Sequence, residues 1–108
     1  MKKLVKGTPA ANGNVEGIAH VITKEEDYEY FKEGEILVVR ITDPTMTIIM
    51  NKASGIICDI GGAGSHPAII ARELGIPCIV NTKSGTKIIK TGTKIHLDAT
   101  KGDVYAVD

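Results

Sequence analysis

Residues 61–65 read Gly-Gly-Ala-Gly-Ser, a break set between an apolar run and the pair His66-Pro67. Three glycines in five positions exclude a continuous helix or strand there, since glycine destabilises both interiors and favours turns and close backbone approach. The apolar run before the break, 56–60, reads as a strand buried on both faces. After it, Pro67, Ile70, Ala71 and Leu74 recur at helical spacing, and Gly75 provides a stop. The local unit is therefore strand, glycine loop, helix, with Ser65 as the expected N-cap and Pro67 in the first turn.

The same logic extends outward. Residues 3–9 are a short extended piece, and 15–23 form a strand rich in β-branched residues. A polar, acidic surface helix is expected over 24–32, ended by Gly34. Residues 36–41 are a second apolar strand. Asp43 can cap a helix that starts at Pro44 and buries Met46, Ile49, Met50 and Ala53; Gly55 is expected to stop it. A short strand follows at 77–81, then a short helix or turn within 83–90. Residues 94–100 alternate, with Ile95, Leu97 and Ala99 on one face, and Lys101-Gly102 turns the chain into a last strand, 103–107. Strands and helices alternate in the middle and β-rich segments flank them, which implies an α/β fold with mixed sheets and short helices, one domain over 1–108.

Composition narrows the function. Only one Phe, three Tyr and no Trp are present, so the core is aliphatic. Thirteen basic residues balance thirteen acidic ones, which argues against broad capture of nucleic acid or of an anionic membrane. The basic N-terminus has no apolar segment of a signal peptide, and no apolar run approaches the ~20 residues needed to span a bilayer. Cys58 and Cys78 lack metal-ligand spacing and read as reduced, structural thiols of a cytoplasmic protein. Three scattered histidines make no zinc site. The 61–65 loop has no P-loop lysine and no dinucleotide spacing.

His66 is the candidate catalytic residue. It projects from a helix N-terminus, where free N–H groups and the helix dipole favour negative charge. That end disfavours imidazolium and leaves a ring nitrogen with a free lone pair, the form that attacks a phosphoryl group. The same N–H groups can then bind the phosphoryl oxygens. The dipole contributes roughly 0.3–1 kcal/mol at a surface, enough to tune the site without driving a transfer. The pattern alone also fits an anion-binding loop or a tight turn. Ser65 and His66 point apart on a helix start, which disfavours a Ser-His pair. The Met46/Met50 stripe reads as core, His20 lies in a strand without a ligand set, and His96 sits on the polar face of the alternating strand.

The segment GGAGSHPAIIARELGIPCIV (61–80) resembles the phosphohistidine signature of phosphoenolpyruvate-utilising enzymes, a family that includes phosphoenolpyruvate synthase and pyruvate phosphate dikinase. TDPTMTIIMNKASGIICDIGG (42–62) resembles the helix and strand leading into that loop. GTPAANGNVEGIAHVI (7–22) and GTKIHLDATKGDVY (92–105) resemble the opening and closing strands of the family's mobile domain. The resemblance implies a swivelling β/β/α domain that relays a phosphoryl group between sites on other domains. Those would be a phosphoenolpyruvate/pyruvate-binding barrel that holds Mg²⁺ and, in some members, an ATP-binding domain. No cofactor is implied for this chain itself. His66 matches the phosphorylated histidine, Gly61 and Gly62 the approach loop, Ser65 the Ser or Cys before the histidine, and Arg72 the Arg of the Ala-Arg element, able to orient the loop or meet a phosphate. Three positions depart from the pattern: Gly64 stands where Thr is common, Ile60 where a polar or acidic residue is usual, and Pro67 where a small residue is more frequent. The alternative reading is a non-catalytic module that keeps the fold and docks a protein or an anion.

Overall fold

The computed structural model describes residues 1–107. In chain order the elements are β1 (Lys2–Lys6), β2 (Thr8–Ala11), β3 (Asn14–Val21), a 3₁₀ turn (Glu25–Tyr30), β4 (Ile36–Val39), a second 3₁₀ turn (Pro44–Met46) running into α1 (Thr47–Lys52), β5 (Gly55–Cys58), α2 (His66–Leu74), β6 (Cys78–Val80), α3 (Gly85–Ile88), β7 (Lys94–Asp98) and β8 (Asp103–Ala106). The strands follow the order β1-β8-β7-β3-β4-β5-β6-β2.

β3 joins two kinds of sheet. Its first half pairs antiparallel with β7, from Asn14 opposite Asp98 to Ile18 opposite Lys94. Its second half pairs parallel with β4, from Ala19 opposite Ile36 to Val21 opposite Val38. β4, β5 and β6 continue in parallel, and β8 and β1 extend the antiparallel side.

The buried side chains divide accordingly. Ile36, Val38, Ile57 and Ile79 of the parallel strands pack against Ile95, Leu97, Val104 and Val5 of the antiparallel ones. The alternate positions Leu37, Val39, Ile56, Cys58 and Val80 pack against Ile49, Met50, Ala68 and Ala71 of α1 and α2. The layers are thus β/β/α, the α/β architecture expected from the alternation of elements. Strands with helices on one face and a second sheet on the other must be apolar at every position, as 36–39 and 55–58 are.

Several local expectations need correction. The acidic segment at 24–32 forms a 3₁₀ turn rather than an α-helix, with Phe31 outside it and buried at 2% exposure. Gly55 does not stop α1; that helix ends at Lys52 with Ala53 as its C-cap, and Gly55 is the first residue of β5. A Cβ at Gly55 would lie 2.7 Å from Leu97 Cδ2, so the missing side chain lets the two sheets approach. On α2 the buried positions are Pro67, Ala68 and Ala71, while Leu74 turns outward beside the left-handed C-cap Gly75 (φ 72°). Arg40 and Ile41 fall beyond the end of β4 and are exposed. No helix among the described residues is long and apolar enough to cross a membrane.

Candidate functional site

The parallel strands β3 to β6 all point their carboxyl ends to one edge, and the glycine loop leaves from that edge. In open α/β sheets such edges are where ligands and reactive groups gather. His66 is the first residue of α2 and is half-buried, with its ring reachable from outside. Ser65 before it is extended (φ −77°, ψ 165°), and the first intrahelical bond runs from Ile69 N–H to Ser65 O at 3.0 Å.

Ser65 occupies the N-cap position, but its hydroxyl does not cap the helix. It donates to Gly62 O at 2.6 Å, and Ser65 N–H donates to the same carbonyl at 3.0 Å. Both donors of Ser65 therefore close the loop, and no side chain caps the first turn. Among the described residues none accepts from the N–H groups of His66 and Ala68, the usual condition of an uncapped helix start.

The three glycines are not equivalent. Gly61 adopts φ +140°, and a Cβ there would meet Ser65 Oγ at 2.8 Å. Conformation and space both demand glycine at that position. Gly62 and Gly64 show no left-handed φ and have open space where a Cβ would go. A threonine would fit at 64, so its absence changes chemistry and relieves no crowding.

Two residues fix the loop and the ring. Arg72, six residues after His66 on α2, donates from Nε to Ala10 O (2.9 Å) and from Nη2 to Ala63 O (2.6 Å). It ties the loop to β2, which is the orienting alternative of the two expected for it. Thr42, only 7% exposed, places Oγ1 2.8 Å from His66 Nδ1. In the sequence Thr42 stands out only as the first residue of the segment 42–62 that leads into the loop. Its one visible signal is its place at the end of an apolar strand, just before the Asp43-Pro44 cap.

Two carboxylates complete the edge. Asp43 caps the turn: its Oδ1 accepts from Thr45 N–H at 2.8 Å and also from the Thr45 hydroxyl. Those two bonds hold its carboxyl below the usual carboxylate range, and the nearby His66 ring adds a smaller contribution in the same direction. Asp59 is 4% exposed. It accepts from Thr82 Oγ1 (2.7 Å) and from Thr86 Oγ1 (2.6 Å), and weakly from Thr86 N–H. Its backbone carbonyl accepts from Lys83 N–H at 3.1 Å. A buried carboxylate is tolerated only with such partners. A lone Asp inside the apolar run 56–60 was the available signal for it. It supplies an acidic group at this edge one position before Ile60, which is itself 42% exposed.

The remaining candidates lie elsewhere. His20 Nδ1 sits 2.8 Å from Glu35 Oε1, and its ring stands 5.6 Å from that of Phe31. His96 is not merely exposed: its ring nitrogens lie 3.1 Å from Glu16 Oε2 and 2.9 Å from Asn14 Oδ1. Both cysteines are free and buried. Burial raises the Cys58 thiol and pushes that of Cys78 up to about 12, which removes both as nucleophiles near neutral pH. Among the described residues no three His, Cys, Asp or Glu gather to hold a metal ion.

Residues 31–102 match the sequence family described as PEP-utilising enzyme, mobile domain. The chain is 46% identical over 106 residues to a probable phosphoenolpyruvate synthase of Staphylothermus marinus, covering 96% of this chain and 13% of that protein. It is 45% identical over 102 residues to the phosphoenolpyruvate synthase of Pyrococcus furiosus, covering 94% of this chain and 12% of that one. The chain thus spans about an eighth of the length of these relatives. A solution structure of an Enzyme I superposes with a TM-score of 0.63 at 29% identity, covering 74% of this chain and 33% of that one. The holo-form of Thermococcus kodakaraensis aconitase X superposes with a TM-score of 0.71 at 20% identity, covering 96% and 98%, a likeness of fold alone.

Proposed function

The chain belongs to the family of PEP-utilising enzyme mobile domains, and on that premise we propose that His66 carries a phosphoryl group on Nε2 between sites on partner domains. The contact between Thr42 Oγ1 and His66 Nδ1 at 2.8 Å carries this reading. When the Thr42 hydroxyl accepts from Nδ1–H, the ring is held in the tautomer whose Nε2 keeps a free lone pair. That nitrogen forms the new N–P bond to phosphoenolpyruvate held by a partner. The P–O bond to the enol oxygen breaks, and its electron pair leaves with the enolate of pyruvate, which takes up a proton. Nδ1 keeps its proton on Thr42 throughout.

The uncapped N–H groups of α2 then face a dianionic phosphoryl group, a match of charge and donors. Asp43 stands beside the ring and opposes the positive charge that develops on it. Mg²⁺ belongs to the partner that binds phosphoenolpyruvate, where it would neutralise the phosphate. The partners are a phosphoenolpyruvate/pyruvate-binding domain and an ATP-binding domain. That the relatives extend far beyond the part matched by this chain supports partner domains of this kind.

The test is to incubate the chain with phosphoenolpyruvate, Mg²⁺ and the phosphoenolpyruvate-binding part of a close relative, and to read intact mass before and after acid. The expected result is one acid-labile phosphate, absent in His66→Ala while circular dichroism shows that variant still folded. Label that persists in His66→Ala would overturn the assignment. Anion binding without any adduct would instead support a non-catalytic docking module.

A further inference from the structure

Next to Thr42, the carboxyl ends of β3 and β4 open into a second cleft of about 460 Å³. That volume lies within the range of small-molecule sites. The floor is apolar: Ile22 is 1% and Met46 9% exposed. The rim carries both signs of charge, with Lys24 and Arg40 against Glu25 and Asp43. Among the described residues the side-chain ion pairs are Lys3–Asp103, His20–Glu35 and His96–Glu16, so the four rim charges are not paired with one another. Neither Lys24 nor Arg40 donates a side-chain hydrogen bond to a described residue. Neutral hydroxyls from Tyr28 and Thr45, 3.3 Å apart, also line the cleft.

This composition selects against simple ions. An anion drawn by Arg40 and Lys24 is opposed by the two carboxylates, and a cation meets the converse. A zwitterion satisfies both, and an apolar side chain can cover the floor. Asp43 is the better anchor for a cation because Thr45 already fixes its carboxylate, so little ordering is lost on binding.

We propose that this cleft binds a free amino acid with an apolar side chain, its carboxylate on Arg40 and Lys24 and its ammonium on Asp43. The site needs no phosphoryl group on His66, so its failure would leave the phosphoryl-carrier reading standing, and the reverse.

The test is a titration of the ¹⁵N-labelled chain with L-alanine and with L-leucine, following amide shifts. Saturable shifts centred on Lys24, Arg40 and Thr45 are expected, tighter for leucine. Arg40→Gln and Asp43→Asn should each weaken binding at least about tenfold; asparagine keeps the helix cap, so the second variant removes charge alone. 4-Methylpentanoate and 3-methylbutylamine, which lack the amine and the carboxylate of leucine, should also bind at least about tenfold more weakly. The proposal is overturned if neither amino acid gives saturable shifts up to about 10 mM, if either analogue binds as tightly as leucine, or if the shifts centre on residues 61–66.

Discussion

Strand β7 and the carboxyl edge of the parallel strands obey different rules. On β7 the buried residues Ile95 and Leu97 alternate with Lys94, His96 and Asp98, and every polar side chain faces away from the core. At the parallel edge the rule is broken repeatedly within a few residues. Thr42, Asp59 and Thr82 are buried, Ile41 and Ile60 are exposed, and Asn81 and Lys83 adopt left-handed φ of 59° and 67°. Residues held against their local preferences are expected where function, not folding, sets the choice. The contrast separates the part of the chain that supplies stability from the part that holds His66.

Truncation on each side should break that separation in opposite ways. Leu97→Ala removes a fully buried side chain between the sheets and should cost about 2–5 kcal/mol in urea unfolding. Below its transition, phosphorylation of His66 should be unchanged; a fall in rate there would tie the two regions together. Asp59→Ala leaves the Thr82 and Thr86 hydroxyls without their acceptor. It should cost about 1–3 kcal/mol and slow phosphorylation as well, because the chain leading from β5 into the loop loses its tie to Thr82 and Thr86. Thr42→Val keeps the shape and removes the contact to Nδ1. It should slow phosphorylation about ten- to a hundredfold, equivalent to about 1.4–2.7 kcal/mol, with Thr42→Ser restoring most of the rate. Loss in both variants would assign Thr42 to packing.

The smallest effect tests the core between the parallel strands and α2. Burial raises the Cys78 thiol from 9.0 to about 12. The neutral thiol is favoured in the folded state, so its contribution is complete below pH 9.0 and is lost as pH rises, because the unfolded chain ionises first. By about pH 10 the loss should reach about 1 kcal/mol, and Cys78→Ala should flatten that part of the curve.

Much of the architecture was legible without coordinates. The β-branched runs, the helical stripe from Met46 to Ala53 and the clean alternation of 94–98 each state a burial pattern in one stretch of chain. The phosphohistidine signature located the loop and its histidine by residue order alone. The errors have a common cause. Gly55 looked like a helix stop, but it is required by Leu97, a residue forty-two positions away. Ser65 takes the expected N-cap position, but its hydroxyl bonds to Gly62 O and leaves the first turn without a side-chain cap. Leu74 fell on the right helical spacing, but α2 buries the smaller Ala68 against β5 and β6 because those strands come close.

The sequence by itself determined the order of elements, the apolar faces and the histidine at the helix start, since propensity and periodicity act over a few neighbours. Only the tertiary structure decided what touches that histidine. Thr42 and Asp43 follow β4 and Arg72 lies on α2, so the ring and the loop are held from separate segments that the fold brings to one edge. No spacing along the chain encodes that meeting, because it arises from how strands far apart in sequence pair and twist together.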